Sequence, residues 1–79
     1  MTPAEIEALI AAGLPGCTVQ VASDDNTHFE ATVISDAFEG KRPLQRHQMV
    51  YKTLGDRVGN EIHALSIAAH TPSENGGQT

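Results

Sequence analysis

Seventy-nine residues allow one domain with one modest core, and 39% apolar with 19% charged residues suit a small folded globule, not a disordered tail. No apolar run approaches the ~20 residues of a membrane helix, and a single cysteine, Cys17, permits no internal disulfide. Ten acids against five bases give a net charge of −5, and the opening Thr2-Pro3-Ala4-Glu5 is not the basic stretch and apolar block of a secretory signal, so a cytoplasmic location is expected.

The first predicted element is a helix with clear punctuation. Thr2 can cap it, Pro3 sits where a missing N–H costs nothing, and Glu5 completes a Thr-x-x-Glu capping box. Ile6, Leu9 and Ile10 recur at helical spacing as an apolar stripe, and Gly13 with Pro15 ends the helix. Two alternating segments follow. Cys17, Val19 and Val21 share one parity; after Asp24-Asp25-Asn26, Phe29, Ala31 and Val33 share another. Period-two patterns around a polar turn predict an antiparallel hairpin with one buried face.

Residues 36–42 are expected as a loop containing Phe38 and Gly40. A second helix is predicted from Pro43 to about Leu54, with Leu44, His47, Val50, Tyr51 and Leu54 on one face. Gly55 is a plausible stop, and residues 56–59 form a turn or one more short helical turn. Residues 62–69 alternate again, with Leu65 and Ile67 on one side, as a third strand. Pro72, Ser73, Asn75 and two glycines then predict a flexible tail over 72–79, leaving residues 1–71 as the domain. The predicted class is α+β: an αββααβ order, with a three-stranded sheet covered by helices on one face.

Charge is segregated along this order. All five basic residues, Lys41, Arg42, Arg46, Lys52 and Arg57, fall within 41–57, which holds one acid, Asp56; the remainder carries nine acids and no Lys or Arg. Such a patch is either a solvated helix face with surface ion pairs or a surface turned toward an anionic partner.

Four histidines and one cysteine are too poorly spaced for a complete zinc site: there is no Cys-x-x-Cys, and no histidine pair stands four apart. A half-site completed by another molecule remains open. His63 begins the third strand with the parity of Leu65 and Ile67, so it is either a partly buried, carbonyl-bonded histidine or a ring emerging beside the preceding turn. His28 lies at the hairpin mouth with parity opposite to Phe29; it is a surface residue unless the mouth bends to bring it to His63. His47 is expected as a helix-contact residue, His70 at the surface and Cys17 as a small buried apolar group. No serine, Ser35 and Ser66 included, has the context of an activated nucleophile, so a non-enzymatic protein is expected.

His28-Phe29, Ser35-Asp36-x-Phe38-x-Gly40, Leu44-x-Arg46-His47-x-x-Val50-Tyr51, Ile62-His63-Ala64-Leu65-x-Ile67 and Thr71-Pro72, in this order and at these separations, resemble the BolA family, particularly its short bacterial YrbA (IbaG)-type branch. The likeness spans about residues 4–72. It implies a fold similar to the type II K-homology domain. It also implies a heterodimer with a monothiol glutaredoxin around a glutathione-bound [2Fe-2S] cluster, in iron–sulfur cluster assembly or iron regulation. By that resemblance His63 matches the family's C-terminal histidine ligand. The second ligand comes from the hairpin loop, where His28 is the nearest counterpart. A [2Fe-2S] centre takes four ligands, and a chain with one cysteine would receive thiolates from glutaredoxin and glutathione. The isolated chain is expected as a monomer without its own cofactor. The alternative implied by the family is a DNA-binding transcriptional regulator using residues 38–54. Lys41, Arg42 and Arg46 would then contact phosphates, or serve the protein partner. Gly40-Lys41-Arg42-Pro43 lacks the second glycine of a K-homology Gly-x-x-Gly, and the net charge opposes nonspecific binding.

Overall fold

The computed structural model describes residues 1–59, 62 and 64–76. In chain order these form α1 (Pro3–Gly13), β1 (Thr18–Ala22), β2 (His28–Ile34), a 3-10 turn (Asp36–Phe38), α2 (Pro43–Leu54), a second 3-10 turn (Gly55–Arg57), β3 (Ala64–His70) and α3 (Pro72–Gly76). The αββααβ order is thus present, its short second helix being the 3-10 turn after α2, with α3 added at the end. The sheet order is β1-β2-β3: β1 pairs antiparallel to β2, and β3 pairs parallel to it. A parallel return needs a crossover, and α2 lies within it.

Each element follows from its residues. The Thr2 hydroxyl accepts the Glu5 N–H at 3.3 Å while the Glu5 carboxylate accepts the Thr2 N–H at 3.3 Å, so two unpaired donors are satisfied at the start of α1. Ile6 and Ile10 then bury completely against the sheet. In β2 the predicted parity holds: Phe29, Ala31 and Val33 are buried, while His28, Glu30 and Thr32 are exposed. In-register neighbours extend the apolar face, Val33 beside Val19 and Ala69, Ala31 beside Val21 and Ile67. All three strands therefore have one covered and one open face.

The second helix occupies its predicted span and buries Val50 and Leu54 of the predicted stripe, but its covered face is rotated away from Leu44 and Tyr51. Val50 and Leu54 are fully buried, whereas Leu44 and Tyr51 are 69% and 39% exposed. Close approach to α1 explains the rotation. Gly13 faces Thr53, so the α2 contact runs along Met49, Val50, Thr53 and Leu54 instead of through Leu44 and Tyr51. The expected loop with Phe38 is a 3-10 turn that anchors the core, with Phe38 fully buried. The buried Ser35 caps it: its hydroxyl accepts the Ala37 N–H at 3.1 Å, and its own N–H donates to the His70 carbonyl at 3.0 Å.

The third strand is described from Ala64 to His70; of the residues predicted to open it, Ile62 makes an isolated bridge to Val58 and residue 63 lies outside those described. Ile62 is buried and bonds back, its N–H donating to the Arg57 carbonyl at 2.9 Å and its carbonyl accepting from Gly59 at 2.7 Å. After β3, residues Pro72–Gly76 of the segment predicted as a tail form the helical turn α3, and residues 77–79 lie outside those described. Thr71 is buried, its hydroxyl accepts the Glu74 N–H at 3.1 Å, and the Glu74 carboxylate accepts the Thr71 N–H at 3.1 Å. A second capping box therefore starts α3.

Candidate functional site

The hairpin mouth is built by Asp25. Its Oδ1 accepts the N–H groups of Thr27 and His28, both at 2.9 Å, closing the turn at the start of β2. Asn26 takes a positive φ of 55° there, a conformation that asparagine tolerates. Ser23 braces the turn from β1's side: its hydroxyl donates to the His28 carbonyl at 2.6 Å and accepts the Asn26 N–H at 2.9 Å. Oδ2 of Asp25 meets Nδ1 of His28 at 2.9 Å. The His28 backbone and ring, with the Thr27 N–H, hold the Asp25 carboxyl far below the usual carboxylate range.

His28 itself projects from the open face, its side chain 71% exposed. It lines a concavity of about 300 Å³ with Asp25, Glu30, Ala64 and Ser66. Parallel register sets His28 opposite Ala64. His63, the predicted principal ligand, precedes Ala64 in sequence and lies outside the described residues. Among the described residues, no three or more His, Cys, Asp or Glu side chains converge on a point that could hold a metal ion. Cys17 precedes β1 at the other end of the hairpin, where Thr18 pairs with Ile34. Six residues of strand separate that end from His28, roughly 20 Å. Its thiol is half-buried, and desolvation pushes its pKa up, away from thiolate chemistry. His47 and His70 are both half-buried; for His70 this replaces the expected surface position.

The basic window divides. Lys41 and Arg42 are exposed beside Gly40, whose φ of +73° turns the chain into α2. Arg46, the third of the candidate contact residues, is engaged internally. Its Nε donates to the Lys41 carbonyl at 2.9 Å and Nη1 to the Ala69 carbonyl at 3.2 Å. Nη1 and Nη2 together form a bidentate pair with Glu74, at 2.8 and 3.0 Å. The guanidinium lies 5.9 Å from the Phe38 ring centroid, and the side chain is only 12% exposed. This pairing raises the Arg46 pKa and, with the Thr71 N–H, holds the Glu74 carboxyl down to about 2. Sequence reading missed both Asp25 and Glu74. The available signals were an Asp three residues before a histidine in a turn, and a second Thr-Pro-x-Glu.

No helix among the described residues is long and apolar enough to cross a membrane. Residues 15–74 match the family described as BolA-like protein. Human BolA-like protein 1 is 44% identical over 54 residues, covering 68% of this chain and 39% of the relative. The DNA-binding transcriptional regulator BolA of Vibrio cholerae is also 44% identical over 54 residues, covering 68% of this chain and 51% of its own length. This chain therefore spans about half, or less, of the curated relatives it matches. The solved structure of a bolA protein homologue from Coxiella burnetii superposes with a TM-score of 0.81 at 40% identity, covering 96% of this chain and 97% of that one. The family match over most of the chain, together with this shared fold, shows that the protein belongs to the BolA-like family.

Proposed function

We propose that this protein is a cytoplasmic, non-enzymatic adaptor that pairs with a monothiol glutaredoxin and supplies histidine ligands to a shared [2Fe-2S] cluster. In this reading His63 is the principal ligand and His28 the second. Glutaredoxin and glutathione contribute the thiolates, because Cys17 stands at the wrong end of the hairpin. The observation that carries the proposal is the His28 ring, exposed beside a concavity, with Nδ1 taken by Asp25 and Nε2 left as the ring's other nitrogen. The proposal of a joint site uses the register pairing of His28 with Ala64, the residue that follows His63 in sequence. Such a donor set suits half of a cluster site: neutral imidazoles with borderline softness, open to a docked partner. Histidine in place of thiolate removes negative charge from an iron and raises the cluster's potential.

The test is co-expression with a monothiol glutaredoxin in the presence of glutathione, followed by co-purification and visible absorption and circular dichroism. A coloured heterodimer is expected. His63→Ala should shift its visible bands and shorten the cluster's lifetime, with a smaller effect from His28→Ala. Unchanged spectra and lifetimes in both variants would remove these residues from the site.

A second reading, DNA binding, is favoured by exposed Lys41 and Arg42 at the Gly40 turn and by the regulator name of the Vibrio relative. Against it, Arg46 is already paired and Pro43 offers no backbone donor to a phosphate. Charge reversal at Lys41 and Arg42 separates the two. Loss of DNA binding with a steep salt dependence and intact glutaredoxin pairing would assign the patch to nucleic acid.

A further inference from the structure

Asp25 divides its carboxylate between two tasks. Oδ1 shapes the turn through the Thr27 and His28 N–H groups, while Oδ2 faces the His28 ring at 2.9 Å. A carboxylate is only an acceptor, so the ring nitrogen facing it must carry the hydrogen. A neutral imidazole has one N–H, and placing it on Nδ1 leaves Nε2 with a bare lone pair. The side chain is 71% exposed, so the ring is accessible to a docking partner.

We infer that Asp25 is a positioning residue that holds His28 in its Nδ1–H form and aims an unprotonated Nε2 outward as a metal ligand. The inference rests on the reading of His28 as a cluster ligand. Metal-bound histidines characteristically give their second N–H to a carboxylate, which fixes tautomer and ring angle and raises basicity. The need is acute here. Residues 24–27 form a short turn, and an unrestrained exposed ring would rotate and exchange tautomers, often presenting Nε2–H to the metal. Asp25 removes both freedoms before a partner docks, and the two turn bonds fix Asp25 itself.

Asp25→Asn is the discriminating variant. Its side-chain oxygen can keep the Thr27 and His28 N–H bonds, while its NH2 group turns toward Nδ1 and demands the opposite tautomer. Long-range 1H–15N correlation spectra of the isolated protein, recorded above the imidazole titration range, read the tautomer without any cluster. The wild-type ring is expected as Nδ1–H, and the ring of Asp25→Asn as Nε2–H, with the backbone amides of 23–28 retained. In the glutaredoxin heterodimer the same variant should lower cluster affinity about 10–100-fold. A wild-type ring found as Nε2–H overturns the inference with no variant required. So does an Asp25→Asn ring that keeps its tautomer, or one that reverses it while cluster affinity stays unchanged and His28→Ala lowers it. Should His28→Ala leave the cluster unaffected, the ligand reading fails, and the positioning role fails with it whatever the tautomer.

Discussion

The chain uses the tetrapeptide Thr-Pro-x-Glu twice, at Thr2–Glu5 and at Thr71–Glu74, with different outcomes. Both form reciprocal capping boxes with bonds of 3.1–3.3 Å. The first opens an eleven-residue helix that buries Ile6 and Ile10; the second opens a turn of five residues, of which Pro72, Ser73 and Glu74 are exposed. A cap satisfies donors but does not hold a helix in place. In α1 the apolar stripe does that. In α3 the same function falls to Glu74, which is shared between the cap and the guanidinium of Arg46, 28 positions earlier. One helix is anchored by burial and the other by charge, so the two should fail under different perturbations.

The largest expected effect is on the buried anchor. Ile10→Ala removes a fully buried side chain from between α1 and the sheet and should cost about 2–5 kcal/mol. It should appear as a lower midpoint in chemical denaturation, with α1 and the sheet losing protection together. A cost below 1 kcal/mol would show that α1 does not depend on this contact. Gly13→Ala comes next. A Cβ at Gly13 would stand 2.7 Å from Thr53 Cβ and closer still to its methyl group. Thr53 cannot readily swing aside, because it is β-branched and its hydroxyl donates to the Val50 carbonyl at 2.6 Å. Alanine gains ~1 kcal/mol of helix propensity over glycine, but overpacking costs ~1–3 kcal/mol, so the net change should be destabilising by about 1 kcal/mol. Gly13→Ala combined with Thr53→Ala should recover most of that loss. Thr2→Ala is smaller and confined to the cap: about 0.5 kcal/mol, with α1 still formed in circular dichroism because its stripe is untouched.

What could be read from the sequence follows the same division between patterned burial and long-range charge. Alternating Val19, Val21, Phe29, Ala31 and Val33 announce the hairpin and its covered face, because parity is a local property. The stripe of α2 holds at Val50 and Leu54 but not at Leu44 and Tyr51, for a non-local reason: spacing defines a helical face only to within a residue or two, and the absent side chain of Gly13 decides which flank meets α1. The parallel pairing of β3 depends on tertiary contacts that no local pattern encodes. Arg46 looked like part of a basic surface because its partners, Ala69 and Glu74, are more than twenty residues away. At the hairpin mouth, His28 was legible by its place before Phe29. The role of Asp25 was not, since an acid in a turn looks the same whether it caps backbone, holds a ring or does both.

The smallest effect on global stability is expected at α3, and acid is the way to see it. Glu74 has a carboxyl pKa held down to about 2 in the folded chain, against an ordinary value of 4.5, because Arg46 and the Thr71 N–H favour its ionised form. A group whose pKa falls on folding favours the docked state above its unfolded value, and that contribution declines as pH falls toward its folded value. The contribution of Glu74 to α3 docking should therefore be constant down to about pH 4.5, then decline between about 4.5 and 2. Amide exchange and chemical shifts of 71–76 should report that loss while the Val33 and Ile67 amides of the core stay protected, since Thr71 is the buried side chain that links α3 to the rest. Glu74→Gln should reproduce the detached state at neutral pH and abolish the acid transition in this segment. If α3 instead remains docked in Glu74→Gln, the carboxylate charge is not its anchor, and the helix is held by burial of Thr71 as α1 is by Ile6 and Ile10.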